Sequence, residues 1–252
     1  MAETFSNLNP LIAAILGGVI PSLVWLWFWL REDRANPEPT GLIALSFFAG
    51  MAVVYFVLPL QKIVLSSIVP IMDTVTALSA KISLFSPTEQ TVRITLWAFI
   101  EEFAKYATVF LVAFKTKHFD EPIDAVIYLI TAALGFAAME NILYILKDLP
   151  HGTVSQMFLD GNLRFLGATI LHTVSSAIVG IAIAFSFFAP RTIKIIAVTA
   201  GIALATLLHA YFNLSIIESN GTLSTLLVFS QYWAGIVGVI ILLQIVKRLK
   251  TN

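Results

Sequence analysis

Polar positions are so sparse along this chain that its elements are delimited by where the apolar runs break. Runs long enough to cross a hydrocarbon core of roughly 30 Å occur at about 10 to 30, 41 to 61, 94 to 114, 123 to 146, 163 to 189, 193 to 217 and 223 to 246. They predict an all-α, polytopic bundle of about seven transmembrane helices and leave no room for a soluble domain, so residues 1–252 read as a single membrane domain. The first run, Leu11 to Leu30, is longer than a signal-peptide core; no Lys or Arg precedes it and no small-residue cleavage site follows, so it is expected to be a retained helix. The stretch from Lys62 to Gln90 is apolar but interrupted by Pro70, Asp73 and Lys81. It is expected to be an interfacial or re-entrant helix, with an eighth span left open.

Composition agrees with this class: 58% of the 252 residues are hydrophobic and only 12% are charged. Lys+Arg and Asp+Glu both number 15, so no basic surface points to nucleic acid, and the absence of cysteine excludes thiolate nucleophiles and Cys-type zinc sites. The distribution of charge is more informative than its sum. Arg31, Arg34, Lys115, Lys117, Arg191, Lys194, Lys247, Arg248 and Lys250 fall on one side of a seven-span arrangement, and Lys62, Lys81 and Lys147 on the other. The positive-inside rule then places the N-terminus outside and the C-terminus inside, with Trp25, Trp27 and Trp29 as an aromatic belt at the inner interface. The cluster Arg31-Glu32-Asp33 with Arg34 reads as a solvated loop.

Against this background the ionisable residues within the spans stand out, because charge in hydrocarbon is costly and is retained for chemistry or transport. Glu101, Glu102 and Lys105 lie in ITLWAFIEEFAKYATVFLVAF, Glu140 with Asn141 in VIYLITAALGFAAMENILYIL, and His172 and His209 in two further runs. At 1.5 Å per residue these groups fall between about 9 and 13 Å below the outer ends of four different spans, the common level that a shared cavity requires. Glu101 and Lys105 are four apart, a spacing that lets the lysine pair with that carboxylate; His209 and Asn213 likewise share a face. Arg164, above His172, is either an interfacial residue or a substrate clamp. Ser175 and Ser176 read as helix-packing residues, and His118 and His151 as loop residues without a specific task.

The motifs EEFAK (E-E-x-x-K), FAAMEN (F-x-x-x-E-N), Ile170-Leu171-His172 and His209 to Asn213 (H-x-x-x-N), in this order and in separate spans, resemble the PrsW family of intramembrane proteases, related to the CAAX-processing and bacteriocin-immunity membrane proteases. The resemblance covers roughly Ile94 to Leu214, within a motif-bearing core of residues 94–217. It implies a multi-pass protease of the bacterial plasma membrane that cleaves membrane-tethered proteins, such as anti-sigma factors, near the outer face. By the same resemblance Glu101, Glu102, Lys105, Glu140, His172 and His209 are the catalytic set, with Asn141, Asn213 and Arg164 supporting; the family often has Asp where this chain has Asn213.

Peptide hydrolysis needs an activated water, oxyanion stabilisation and a proton for the leaving amine. Glu101 or Glu102 is the expected general base, His209 and Asn213 polarise the carbonyl, and His172 and Glu140 orient water or substrate. The related families favour metal-free glutamate catalysis. Zinc held by His172, His209 and Glu140 stays open, since two imidazoles and a carboxylate form a catalytic zinc set. Two other functions compete: a proton- or cation-coupled transporter, against which stand the missing internal repeat and the dry inner halves of the spans, and a non-enzymatic immunity or scaffold protein on the same fold. The oligomeric state is not legible.

Overall fold

The computed structural model describes residues 10–34, 36–82, 88–148 and 154–249. Its elements are α1 (Pro10–Leu30), α2 (Thr40–Ile82), α3 (Glu89–Val112), α4 (Pro122–Asp148), α5 (Val154–Phe185), α6 (Arg191–Glu218) and α7 (Thr222–Val246), with no strand among the described residues. Five stretches are long and apolar enough to cross a membrane, Thr40–Ser67, Pro122–Lys147, Gly167–Phe185, Arg191–Glu218 and Leu223–Val246, and Ala14–Leu30 is a shorter apolar helix. The chain is thus an all-helical, multi-pass bundle. Helix α3, capped at its start by the Thr88 hydroxyl, which accepts from the Thr91 N–H, carries its charge inward. Glu101, Glu102 and Lys105 are buried while Phe99, Phe103, Phe110 and Leu111 face outward, the inverse of a soluble amphipathic helix.

Helix α4 is the centre of the bundle because it is apolar all round: from Ile123 to Ala138 every residue is buried, and α1, α2 and α5 pack against it. Small residues let the backbones approach closely. A Cβ on Gly135 would lie 1.9 Å from the Phe47 carbonyl oxygen, and one on Gly50 would lie 2.1 Å from that of Ala132, so α2 and α4 meet backbone to backbone. Gly135→Val is therefore expected to lower stability by roughly 3 kcal/mol or more, since the clash is with main chain and no rotamer relieves it. Gly238→Ala, where a Cβ meets nothing within 4 Å, should leave melting in detergent unchanged or slightly raised.

Contacts among Glu32 and Lys247, Glu38 and Tyr128, and Phe119 and Phe187 gather the ends rich in Lys and Arg at one end of the bundle, called here the basic end.

Three expectations change. The stretch after Lys62 is neither re-entrant nor a separate span: α2 continues through it as helix to Ile82, Pro70 included, and residues 83–87 lie outside the described residues. Trp29 is 1% exposed and belongs to the core rather than to an interfacial belt, whereas Trp27 is 61% exposed with the Arg31 guanidinium 4.5 Å over its ring. The Arg31–Arg34 cluster is not wholly solvated, because Asp33 is buried. Burial, with the Glu38 and Glu121 carboxylates nearby, pushes the Asp33 carboxyl up to about 7.

Candidate active site

Five helices, α2 to α6, bring polar residues to one cluster. Glu102 and Lys105 come from one face of α3, one turn apart, and Lys105 Nζ donates to Glu102 Oε1 at 2.6 Å with both side chains fully buried. From α6, His209 Nδ1 donates to the same Oε1 at 2.7 Å, and from α5, Ser176 Oγ donates to Oε2 at 3.4 Å. Both oxygens of Glu102 are therefore occupied. Lys105 Nζ also lies 2.9 Å from His172 Nδ1 and 4.9 Å from the centre of the Phe136 ring. The other nitrogen of His172 donates to Glu140 Oε2 at 2.8 Å. The two imidazoles stand edge to face, 5.2 Å between centroids.

Glu101 is held differently. Its Oε1 accepts from Gln61 Nε2 of α2 at 2.9 Å, while Oε2 is buried without a hydrogen-bond partner and lies 3.6 Å from His209 Nε2. The sequence spacing pairs Lys105 with Glu101; the structure instead pairs it with Glu102. Separations of three and four residues are both adjacent on a helix, so the spacing admits either glutamate and the packing selects Glu102, which shares its Oε1 between Lys105 and His209. Glu140 is the most accessible member of the cluster, its side chain 33% exposed against 10% or less for the others.

Other expected residues stand farther back. Asn141 Nδ2 reaches Thr169 Oγ1 at 3.5 Å and links α4 to α5. Asn213 is half-buried on α6, and its side chain makes no hydrogen bond among the described residues. The side chain of Arg164, and all of His151, lie outside the described residues; His118 sits in the turn between α3 and α4. Two site residues escape the sequence reading. Gln61 closes the second apolar run, and its polarity at that depth was the available signal; Ser176 lies four residues beyond His172, one turn along the same face.

One donor atom from each of Glu101, His172 and His209 lies within 4.8 Å of the other two. Two imidazoles and a carboxylate are a donor set for a catalytic divalent metal, and the unpartnered Oε2 of Glu101 is the kind of buried atom such an ion would satisfy. In this group Glu101, and not Glu140, offers the carboxylate beside the two imidazoles. Glu140 instead bonds His172, and Glu102 bonds the far nitrogen of His209, the arrangement in which a carboxylate fixes a ligating imidazole.

A family profile described as PrsW family intramembrane metalloprotease matches residues 38–245. The relatives include Protease PrsW of Bacillus subtilis (strain 168), 24% identical over 228 residues, 90% of this chain and 94% of that protein. Protease PrsW of Geobacillus kaustophilus (strain HTA426) is 29% identical over 138 residues, 55% and 54% of the two chains, and that of Clostridioides difficile (strain 630) is 26% identical over 133 residues, 52% and 49%. No solved structure matches the chain. The match across four-fifths of the sequence, with the buried Glu–Lys–His cluster inside it, makes this multi-pass integral membrane protein a member of the PrsW family of intramembrane proteases.

Proposed function

We propose that the chain hydrolyses a peptide bond of membrane-tethered proteins, with anti-sigma factors among the candidate substrates, at the end of the bundle opposite its basic loops, which would face the outside. The observation that carries this reading is Glu101: a buried carboxylate with one oxygen fixed by Gln61 and the other unpartnered beside His209. A buried unsatisfied carboxylate oxygen destabilises a fold, and its retention points to work at that atom.

Glu101, His172 and His209 would hold the metal that the family description implies. Such an ion, when bound, acidifies water and polarises the scissile carbonyl. Glu102 is a positioning residue in this scheme. Its oxygens accept from Lys105, His209 and Ser176, which holds the His209 ring with Nε2 toward Glu101. Glu140, at the accessible edge, takes the proton of the attacking water and returns it to the leaving amine nitrogen. Phe136, packed on His172 and Lys105, helps to exclude water from the inner side.

A metal-free reading is favoured by one contact. If Lys105 donates to His172 Nδ1, the ring proton sits on Nε2, facing Glu140, and His172 has no lone pair to give a metal; Glu101 Oε2 then takes the water proton itself. Purified protein in liposomes with a single-span substrate decides between them. Cleavage that a strong chelator stops and zinc restores supports the metal set; cleavage unaffected by chelation supports glutamate catalysis. Fragment masses locate the cut, and a cut at the basic end would overturn the proposed side.

A further inference from the structure

A second cluster of carboxylates lies far from the first. Asp33 follows α1, Glu38 precedes α2 and Asp124 sits in the first turn of α4, and one carboxylate oxygen from each lies within 4.8 Å of the other two. Asp124 and Glu140 are 16 residues apart on the same helix, about 24 Å along its axis, so this cluster belongs to the basic end and not to the active site.

The donors are prearranged by the chain. Asp124 is 1% exposed, and its Oδ2 accepts from the backbone N–H groups of Asp120 at 2.9 Å and Glu121 at 2.7 Å. The Tyr128 hydroxyl donates to Glu38 Oε2. Asp33 is 4% exposed, and its Oδ2 is buried with no hydrogen-bond partner among the described residues. Lys247, the lysine whose charge reaches Asp33, has its Nζ bonded to Glu32 at 2.7 Å, Arg34 is exposed, and Glu121 adds a further carboxylate that accepts from Asn36. Three converging carboxylates, two of them almost dry and one with an orphaned oxygen, form a site short of a cation.

We propose that Asp33, Glu38 and Asp124 bind a hard divalent cation, Ca2+ or Mg2+, that ties the α1–α2 connection to the start of α4. The donor set is all oxygen, which selects hard ions over zinc, and the spread of the donors is close to what oxygens at about 2.3–2.6 Å from one Ca2+ would span. The ion would brace the buried central helix that carries Glu140 from its opposite end.

Terbium luminescence tests this without reference to proteolysis. Full-length protein in detergent, stripped of metal by chelation, is titrated with Tb3+, whose emission is sensitised by a nearby aromatic ring; here Tyr128 is bonded directly to Glu38. Emission that Ca2+ or Mg2+ reverses, that Asp33→Asn and Glu38→Gln each abolish and that Glu101→Gln leaves intact is the expected result. Should Asp33→Asn fail to fold, the half-buried Glu38→Gln variant carries the same comparison. In the unaltered protein, Ca2+ or Mg2+ at about a hundredfold excess over its Kd should raise Tm by roughly 5–10 °C. Emission equal in the Glu38→Gln variant, or the absence of both displaceable emission and thermal shift in the unaltered protein, overturns the proposal.

Discussion

Glu101→Gln is expected to reduce cleavage of a reconstituted single-span substrate by about 10²- to 10⁴-fold while the protein melts at or above the wild-type temperature. The substitution keeps the shape of the side chain and, at Oε1, the acceptor that Gln61 uses. It removes a negative charge from an interior that also holds Glu102 and Glu140, and it replaces a buried oxygen that has no partner. Stability should not fall when an unsatisfied anion becomes neutral. Activity should, whether Glu101 ligates a metal or accepts the proton of water, since the amide is a poor ligand and not a base. Metal analysis of the same variant separates the two roles: loss of bound zinc marks a ligand, unchanged zinc with lost cleavage marks a base. Wild-type cleavage rates in a folded Glu101→Gln protein would remove Glu101 from the mechanism altogether.

Why Glu101 and not its neighbour keeps an unpartnered oxygen could not be read from the sequence, although the cluster itself could. Charge in apolar runs is legible because it is rare and costly, and depth along a span follows from counting residues; together these find Glu101, Glu102, Lys105, Glu140, His172 and His209. What counting leaves open is helix rotation and partner choice. Lys105 lies one turn from both glutamates, and only the positions of α5 and α6 relative to α3 decide that Glu102 shares it with His209 and His172. Gln61 lies 40 residues from Glu101, a pairing that needs the α2–α3 packing to be known. The same holds at the basic end: Asp33 sits in a run of charged residues that reads as a solvated loop, and it is buried only because α4 brings Asp124 and Tyr128 to meet it. The length of α2 was obscured by Pro70, Asp73 and Lys81, local interruptions that the continuous helix accommodates.

The clearest separation of structure from chemistry is expected at Glu102. Its side chain and that of Lys105 are both fully buried and 2.6 Å apart, so Glu102→Ala leaves the lysine in a dry interior without its bonded carboxylate and with a His172 nitrogen beside it. Breaking a buried pair by removing one partner costs about 3–5 kcal/mol, most of it from the stranded charge. Glu102→Ala should therefore melt far below the wild type or fail to accumulate. Adding Lys105→Met removes the stranded charge and fills the space with an apolar chain beside Phe136, so the double variant should recover most of the loss, with a coupling energy of about 2 kcal/mol or more. Recovery of the fold should not bring recovery of cleavage, because His209 has lost the carboxylate that fixes its ring. A folded, inactive double variant beside a barely stable single variant is the expected pair of results, read by melting and by cleavage of the same preparations. Equal stability of Glu102→Ala and the wild type would mean that Lys105 is not stranded by the loss of Glu102, and the Glu102–Lys105 pair would no longer be what holds the centre of the cluster together.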